Sequence, residues 1–362
     1  MSVIIFIIIL GVLIFVHELG HFLVAKKTGI RVDEFAIGFP PRLFSFKKGG
    51  TRYSLNLIPF GGYVKIFGEN PDEESSKSTA KDSFVNKPRY TQAAVLIAGI
   101  LFNVIFAWII LTGSLMSGFP SAVNETNSDN IKDAAITIVH IEDNSPAEKA
   151  NLMLGDTILK LSSITETLTP TDILQVQSFI QSHGNEPMDI SVGRDNATVN
   201  ITVQAEENVV AGKKAIGIAM DNIGTYKLPF FTTIKEGFLM TGEMIKAIVV
   251  GLGNLIGQAF AGKGSMSDVA GPVGIVSLVK DASHFGFVNV LSLTAILSLN
   301  LAVLNLVPFP ALDGGRLLFV AIEAITRRPL NQKFANVTNL IGFSILILLM
   351  LAITVNDVVR LF

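Results

Sequence analysis

Three long apolar stretches constrain the fold of this chain more than any other feature. They lie at residues 2–25, 93–119 and 337–355. Each is close to or longer than the ~20 residues that an α-helix needs to cross a bilayer. A fourth apolar stretch, residues 288–308, is interrupted by Asn300 and Asn305. The composition agrees, because only 16% of the residues are charged and the mean hydropathy is +0.52. We therefore predict a polytopic α-helical membrane protein with about four transmembrane helices.

The distribution of basic residues predicts the orientation of these helices. Lys and Arg are frequent in residues 26–90 and recur in residues 316–336, whereas residues 90–131 contain neither. The positive-inside rule places both basic regions in the cytoplasm. Both chain termini and the region from about residue 121 to residue 281 are then expected on the opposite side of the membrane.

The extracytoplasmic region divides into two parts. Residues 122–225 contain short β-prone runs separated by turn signals, with a helix start at Ser145, and predict a small β-rich domain. Residues 226–285 change to a helical period in which charged residues are set among apolar ones. We expect these residues to form amphipathic helices on the membrane surface, and a fifth span is the alternative.

A second β-rich segment is predicted on the cytoplasmic side. β-prone runs at residues 52–58 and 62–67 flank the Pro-Phe-Gly-Gly sequence of residues 59–62. Two such runs around a turn predict a membrane-associated β-hairpin, and its apolar residues suggest that it enters the bilayer. The polar and acidic residues 70–83 that follow are typical of a mobile linker.

These patterns give a division of the whole chain into eight parts. We predict transmembrane helix 1 at 1–25, a cytoplasmic, membrane-reentrant β region with its linker at 26–90, transmembrane helix 2 at 91–119, the extracytoplasmic β-rich domain at 122–225, membrane-surface helices at 226–285, transmembrane helix 3 at 286–315, a cytoplasmic loop at 316–336 and transmembrane helix 4 at 337–358.

The sequence His17-Glu-Leu-Gly-His21 within the first span predicts a metal site. On a helix, residues four apart share a face, so both imidazoles can reach one metal ion while Glu18 stands beside its open position. Ionisable groups inside an apolar helix are costly, and such groups are functional by default. We expect this span to be retained rather than removed as a signal peptide, because removal would delete the motif. The chain has no cysteine, so only His and carboxylate ligands can hold a transition metal.

A catalytic zinc needs a third protein ligand, and Asp313 is the best candidate. It lies just before Arg316, at the cytoplasmic end of the third predicted span. His17 and His21 lie just before Lys26, at the cytoplasmic end of the first. The three residues are therefore expected at a similar depth. The alternative is an ordinary Asp that begins a Gly-Gly turn.

Several segments of the sequence resemble the bacterial site-2 protease family. They include the HELGH motif, the sequence NLVPFPALDGG of residues 305–315 and the sequence IPFGGYVKIFGE of residues 58–69. Members of this family, within peptidase family M50, are intramembrane zinc metalloproteases that cut single-pass membrane proteins such as anti-sigma factors. Residues 144–156 resemble a bacterial PDZ domain, of which the extracytoplasmic region has room for one.

The resemblance implies an activity and a location. It implies Zn2+ bound by His17, His21 and Asp313, with Glu18 as the general base. The expected substrates are transmembrane segments of single-pass membrane proteins and remnant signal peptides. The expected location is the bacterial cytoplasmic (inner) membrane, with the PDZ domain outside the cytoplasm, the active site near the cytoplasmic face and the protein a monomer.

The resemblance also implies substrate-binding residues. Asn300 and Asn305 match positions that hydrogen-bond an unwound substrate strand, whose freed backbone groups need partners in a dry site. Gly62, Tyr63 and Val64 match an edge to which a substrate strand can add. For the two Asn residues, packing between helices is the alternative.

Other functions are less well supported by the residues. A catalytically inactive scaffold that binds partners through its PDZ domain is disfavoured because Glu18 and Asp313 are intact. A metal transporter or sensor would have ligands along a pathway, not at one depth. A net charge of −2 without a basic block argues against nucleic acid as a partner. Small residues and Asn103 at helical spacing in the second span predict a close-packing face.

Overall fold

The computed structural model describes most of the chain and divides it into two compact units. The described residues are 1–69, 80–123, 131–194, 197–210, 213–226, 229–262 and 269–360. Unit 1 comprises Met1–Thr112, Lys235–Lys280 and Leu291–Phe362, and unit 2 comprises Gly113–Ile234 and Asp281–Val290. The predicted domain at 122–225 falls within unit 2, whereas most of the predicted linker lies outside the described residues.

Helices are numbered along the chain. They are α1 (Ser2–Lys27), α2 (Arg89–Ser117), α3 (Pro146–Lys149), α4 (Ile173–His183), α5 (Phe230–Phe260), α6 (Pro272–His284), α7 (Phe287–Leu306), α8 (Asp313–Thr326) and α9 (Gln332–Arg360), with a 3-10 turn at Phe84–Asn86.

Five of these helices are long and apolar enough to cross a membrane. They are α1, α2, α5, α7 and α9. Four of them correspond to the predicted spans. The fifth, α5, is one continuous helix in the region for which surface helices were expected, and it packs Met240 and Met244 against Ala107 and Leu111 of α2. The length and composition of α5 are compatible with a membrane span and with a surface helix. The arrangement with four transmembrane helices therefore stays a prediction.

The third predicted span ends earlier than expected. Helix α7 ends at Leu306, not at residue 315, because Pro308 and Pro310 lack the N–H that would continue the helix and disfavour helical backbone in the residue before them. Asp313 then begins α8, which occupies part of the predicted cytoplasmic loop. Helix α8 buries Val320 against the first turns of α2 because its apolar residues recur on one face.

Unit 1 also contains a small β-sheet formed by β1 (Val32–Lys48) and β2 (Thr51–Ile66). The strands are joined at Gly49 and Gly50, whose φ angles of 56° and 79° are readily adopted by glycine. Residues 34–37 pair on one side with residues 62–65 and on the other with residues 52–55, and residues 42–48 pair with residues 51–56.

This pairing differs from the predicted hairpin. Strand β2 continues through residues 59–62, where a turn between two paired strands was expected. The partner of residues 62–66 is the earlier segment 32–37, and such a long-range pairing leaves no local signal in the sequence. Among the described residues, 62–66 pair on one side only, so they form an edge of the sheet.

Unit 2 is built around a seven-stranded sheet. Its strands are β3 (Phe119–Ala122), β4 (Ile131–Ile141), β5 (Thr157–Ser162), β6 (Thr167–Leu168), β7 (Met188–Arg194), β8 (Ala197–Val203) and β11 (Ile218–Tyr226), while β9 (Glu206–Val210) and β10 (Lys213–Ala215) pair separately. The strand order is β3-β11-β4-β5-β7-β8, with β6 beside β5. Ile138, Leu161 and Ile190 are fully buried in its core. The predicted helix start at Ser145 is confirmed, because its side chain accepts a hydrogen bond from the Glu148 N–H.

Candidate metal centre

Helix α1 brings His17 and His21 together on one buried face. They lie four residues apart, so their side chains project over the same part of the helix surface. Their Nε2 atoms are 3.2 Å apart, and only 8% and 7% of the two residues is exposed. An apolar helix that buries two imidazoles at one point indicates a site rather than a solvated face.

Asp313 completes the cluster as the first residue of α8. Its Oδ2 atom lies 3.0 Å from His17 Nε2 and 3.3 Å from His21 Nε2. The turn before Asp313 requires glycine at the two positions that follow it. A Cβ at Gly314 would lie 2.3 Å from the Val307 carbonyl oxygen, and a Cβ at Gly315 would lie 2.2 Å from the Phe309 carbonyl oxygen. The Gly-Gly pair thus lets α8 begin directly against the preceding loop.

The three ligand atoms fit a tetrahedral zinc ion. With zinc–nitrogen and zinc–oxygen distances of ~2.0–2.1 Å, two ligands of such a site lie about 3.3 Å apart. The three observed separations of 3.0, 3.3 and 3.2 Å are close to this value. Moreover, Asp313 Oδ2 is buried and makes no well-aligned hydrogen bond to the described residues. Two imidazoles and one carboxylate are also a donor set that zinc accepts.

Helix α2 fixes the orientation of His21. The Nδ1 atom of His21 lies 2.8 Å from the backbone carbonyl oxygen of Val95. Because a carbonyl can only accept, Nδ1 carries a proton, and Nε2 is the ring nitrogen that faces Asp313. A second hydrogen bond of this kind commonly sets the tautomer of a histidine that binds metal.

Gly99 allows α2 to approach the two imidazoles. A Cβ at this position would lie 2.3 Å from His21 Nε2 and 2.9 Å from His17 Cε1. Gly20 of α1 makes the reciprocal approach, because its Cβ would lie 2.4 Å from the Ala98 carbonyl oxygen. Close packing of α2, which the sequence predicted, is therefore observed at Gly99 and Ala98, and Gly99 packs against the cluster itself.

Glu18 lies beside the cluster, where its carboxylate interacts electrostatically with His21, His17 and Asp313. A carboxylate next to an open metal position can accept a proton from water. The structure thus brings together the four residues that the sequence predicted as the catalytic centre.

The two Asn residues of α7 do not take part in the contacts among His17, Glu18, His21 and Asp313. Asn300 donates its amide to the carbonyl of Ile296 one turn earlier, at 2.9 Å. Asn305 is half-buried near the end of α7. Neither forms a hydrogen bond to another helix within the described residues, so the proposed substrate contacts of both residues stay predictions.

The edge strand of the β-sheet runs beside α1. A Cβ at Gly62 would lie 3.4 Å from Ile14 Cγ2, about one helical turn before His17. The ring of Tyr63 stacks on Phe39. The backbone N–H and C=O groups on the unpaired side of this strand could therefore pair with an added strand. The predicted roles of Gly62, Tyr63 and Val64 are untested, and this position supports them.

Two ion pairs tie α8 to its neighbours. Arg316, one turn after Asp313, pairs with Glu69 at the end of the β region. Arg89 of α2 pairs with Glu323 at 2.8 Å. Both pairs line a cavity of ≈ 430 Å³ beside the first turns of α2 and α9. The helix that carries Asp313 is therefore held by charges as well as by packing.

Comparisons with known proteins show which family the chain belongs to. The model of peptidase family M50 matches residues 5–349. The chain belongs to peptidase family M50. It is 32% identical to the regulator of sigma-W protease RasP of Bacillus subtilis, over 100% of this chain and 99% of that protein. Putative zinc metalloproteases of Clostridium perfringens and Fusobacterium nucleatum are 34% and 33% identical, covering 96% and 100% of this chain and 95% and 100% of their own lengths.

Sequence reasoning missed one contact of the candidate metal centre. Asn103 of α2 lies 3.2 Å from His17 Nδ1, 86 residues away along the chain. Its spacing from Gly99 put it on the packing face, but a helical period cannot show which partner that face meets. The sequence signal that could have found it is an amide side chain within an apolar span, where polar residues are rare.

Proposed function

We propose that this protein is an intramembrane zinc endopeptidase that hydrolyses peptide bonds within transmembrane segments of single-pass membrane proteins. The observation that carries the proposal is the convergence of His17, His21 and Asp313 at spacings that suit zinc. Glu18 lies beside them, and both histidines and Glu18 belong to α1, a helix long and apolar enough to cross a membrane. Membership of peptidase family M50 and relatives named zinc metalloproteases support the same activity.

The roles of the four residues follow from their chemistry. His17 and His21 would hold zinc through Nε2, and Asp313 would hold it through a carboxylate oxygen. When bound, zinc supplies Lewis-acid activation of water and of the scissile carbonyl. The Glu18 carboxylate takes the proton of the attacking water and passes it to the nitrogen of the leaving amine as the C–N bond breaks.

The substrate must be unwound before it can be cut. An α-helix hides its carbonyl groups, and the backbone groups freed by unwinding need partners away from water. We assign these partners to the backbone of Gly62, Tyr63 and Val64 and to the amides of Asn300 and Asn305. The unpaired side of residues 62–66 and their proximity to α1 support strand addition next to the cluster.

The substrate class is proposed as membrane-anchored regulators, including anti-sigma factors, and remnant signal peptides. The Bacillus subtilis relative is named a regulator of sigma-W protease, which supports the first group. We place the enzyme in the bacterial cytoplasmic membrane with its centre near the cytoplasmic face. We assign residues 122–225 to an extracytoplasmic PDZ domain, which acts as a filter or binds a peptide.

The test is Glu18→Gln on purified full-length protein with a model single-pass substrate. We expect zinc content to stay at the wild-type level while the cleavage rate falls by about 10²-fold or more, because the amide cannot accept the proton. Glu243→Gln changes an exposed carboxylate of α5 and serves as the control with unchanged cleavage. Wild-type cleavage by Glu18→Gln would refute its role, and wild-type protein that binds zinc but cuts nothing would favour a scaffold.

A further inference from the structure

Three residues of α2 face the cluster at regular spacing. They are Val95, Gly99 and Asn103, each four residues from the next, so they lie on one face of the helix. The Val95 carbonyl accepts from His21, and Gly99 makes room for both rings. Asn103 is the third residue of this face, and it is fully buried.

Asn103 stands at the one ring nitrogen of His17 that faces away from Asp313. Its Nδ2 atom lies 3.2 Å from His17 Nδ1, while its Oδ1 atom is buried without a hydrogen-bond partner among the described residues. A histidine that binds metal through Nε2 carries its proton on Nδ1, and this N–H needs a hydrogen-bond acceptor. Rotation of the amide by 180° exchanges its oxygen and nitrogen, and then Oδ1 accepts that proton. In this arrangement the buried Oδ1 atom of Asn103 and the Nδ1–H of His17 are hydrogen-bonded to each other.

We propose that Asn103 is the positioning residue of His17: its amide oxygen accepts the Nδ1–H and holds Nε2 ready for zinc. Val95 does the same for His21 through a backbone carbonyl, so α2 orients both imidazoles of the site. The inference rests on the proposed zinc site and adds to it a residue that touches neither the metal ion nor the substrate.

Asn103 also has a packing contact, which provides the control. Its backbone carbonyl accepts a hydrogen bond of 2.8 Å from the Ser298 hydroxyl of α7. Ser298→Ala removes this link between α2 and α7 without touching His17. A purely structural role of the region predicts similar effects from changes at both positions, whereas positioning of His17 predicts an effect only from the Asn103 side chain.

The experiment measures zinc affinity by competition with a chelator on the purified full-length protein. We expect Asn103→Leu to weaken zinc binding by about 10–100-fold, the range typical for loss of such a partner. Asn103→Asp keeps an acceptor of the same size and is expected to bind zinc at least as tightly as wild type. Ser298→Ala is expected to match wild type. The absorption spectrum of the cobalt-substituted protein should change in Asn103→Leu and not in Ser298→Ala.

Each outcome decides the proposal. Wild-type zinc affinity in Asn103→Leu, equal losses in Asn103→Leu and Ser298→Ala, or a tenfold loss in Asn103→Asp would overturn it. If Asn103→Leu does not fold, NMR of the zinc-loaded wild-type protein decides instead. The Nδ1–H of His17 must be hydrogen-bonded to the Asn103 oxygen, and an Nδ1–H without that hydrogen bond overturns the proposal. Failure of the wild-type protein to bind zinc would refute the proposed function rather than this role.

Discussion

Gly99 has no side chain at the point where α2 meets the two imidazoles. An added methyl group would overlap His21 Nε2, one of the three proposed ligand atoms. Because an imidazole held between two helices has little freedom to move aside, the methyl group would displace a ligand rather than fill a space.

We expect Gly99→Ala to lower zinc affinity by about tenfold or more and to reduce cleavage in proportion. Overpacking would also cost about 1–3 kcal/mol of stability. Gly113→Ala is the matched control, since Gly113 lies on the same helix and nothing lies within 4 Å of its would-be Cβ. Zinc titration of both variants checks this, and equal affinities in the two would contradict it.

At the scale of elements, α9 caps α6 with a buried carboxylate. Asp357 is 5% exposed and accepts a 2.8 Å hydrogen bond from the N–H of Gly274, in the first turn of α6. A residue just before the helix would normally supply this cap, but Gly271 has no side chain. A Cβ at Gly271 would lie 2.7 Å from Asp357 Oδ2, so the glycine also makes room for the carboxylate.

We expect Asp357→Ala to lower the free energy of unfolding by about 1–2 kcal/mol, as loss of a cap does. Asp357→Asn keeps an acceptor oxygen and should lose less. Gly271→Ser, which offers a cap from the usual position, should not rescue Asp357→Ala, because a Cβ at residue 271 would also lie 2.8 Å from Ile353 Cγ2. Wild-type stability of Asp357→Ala would contradict the capping role. Unfolding in detergent, followed by circular dichroism, measures all three variants.

The elements that the sequence predicted best are those with local signals. The HELGH motif and the depth of Asp313 predicted four residues that the structure brings together. The partner of residues 62–66 could not be predicted, because residues 32–37 carry no pattern that specifies it. Pro308 and Pro310 indicated a break between α7 and α8, but the apolar sequence continues across them, and the third span was therefore predicted to extend to residue 315. The contact of Asn103 with His17 depends on how two helices cross, which no periodicity encodes.

At the scale of the whole molecule, the cluster limits how many helices can cross the membrane. His17 and His21 lie toward the end of α1, and Asp313 follows the end of α7, so these two helices run in the same direction. Because α2 runs in the opposite direction, α7 must begin on the side of the membrane where α2 ends. Helix α6 has 13 residues, about 20 Å, and is too short to cross back if α5 had crossed. The geometry thus favours the prediction that α5 does not cross completely.

Labelling of single cysteines can test this topology, because the chain has none of its own. We expect Ala261→Cys, just after α5, to react in intact cells with a maleimide that cannot cross membranes. Asn200→Cys in unit 2 should also react, and Lys333→Cys at the start of α9 should react only after permeabilisation. Reaction of Ala261→Cys only after permeabilisation would show that α5 crosses.

The distance along the chain between the two halves of the metal centre has a consequence for biosynthesis. The two histidines leave the ribosome first, and Asp313 follows after most of the chain has been made. At about 5–20 residues per second, this interval lasts roughly 15 s to a minute. During this time the growing chain holds only two of its three ligands. A growing chain therefore cannot form the complete three-ligand site until α8 has been made.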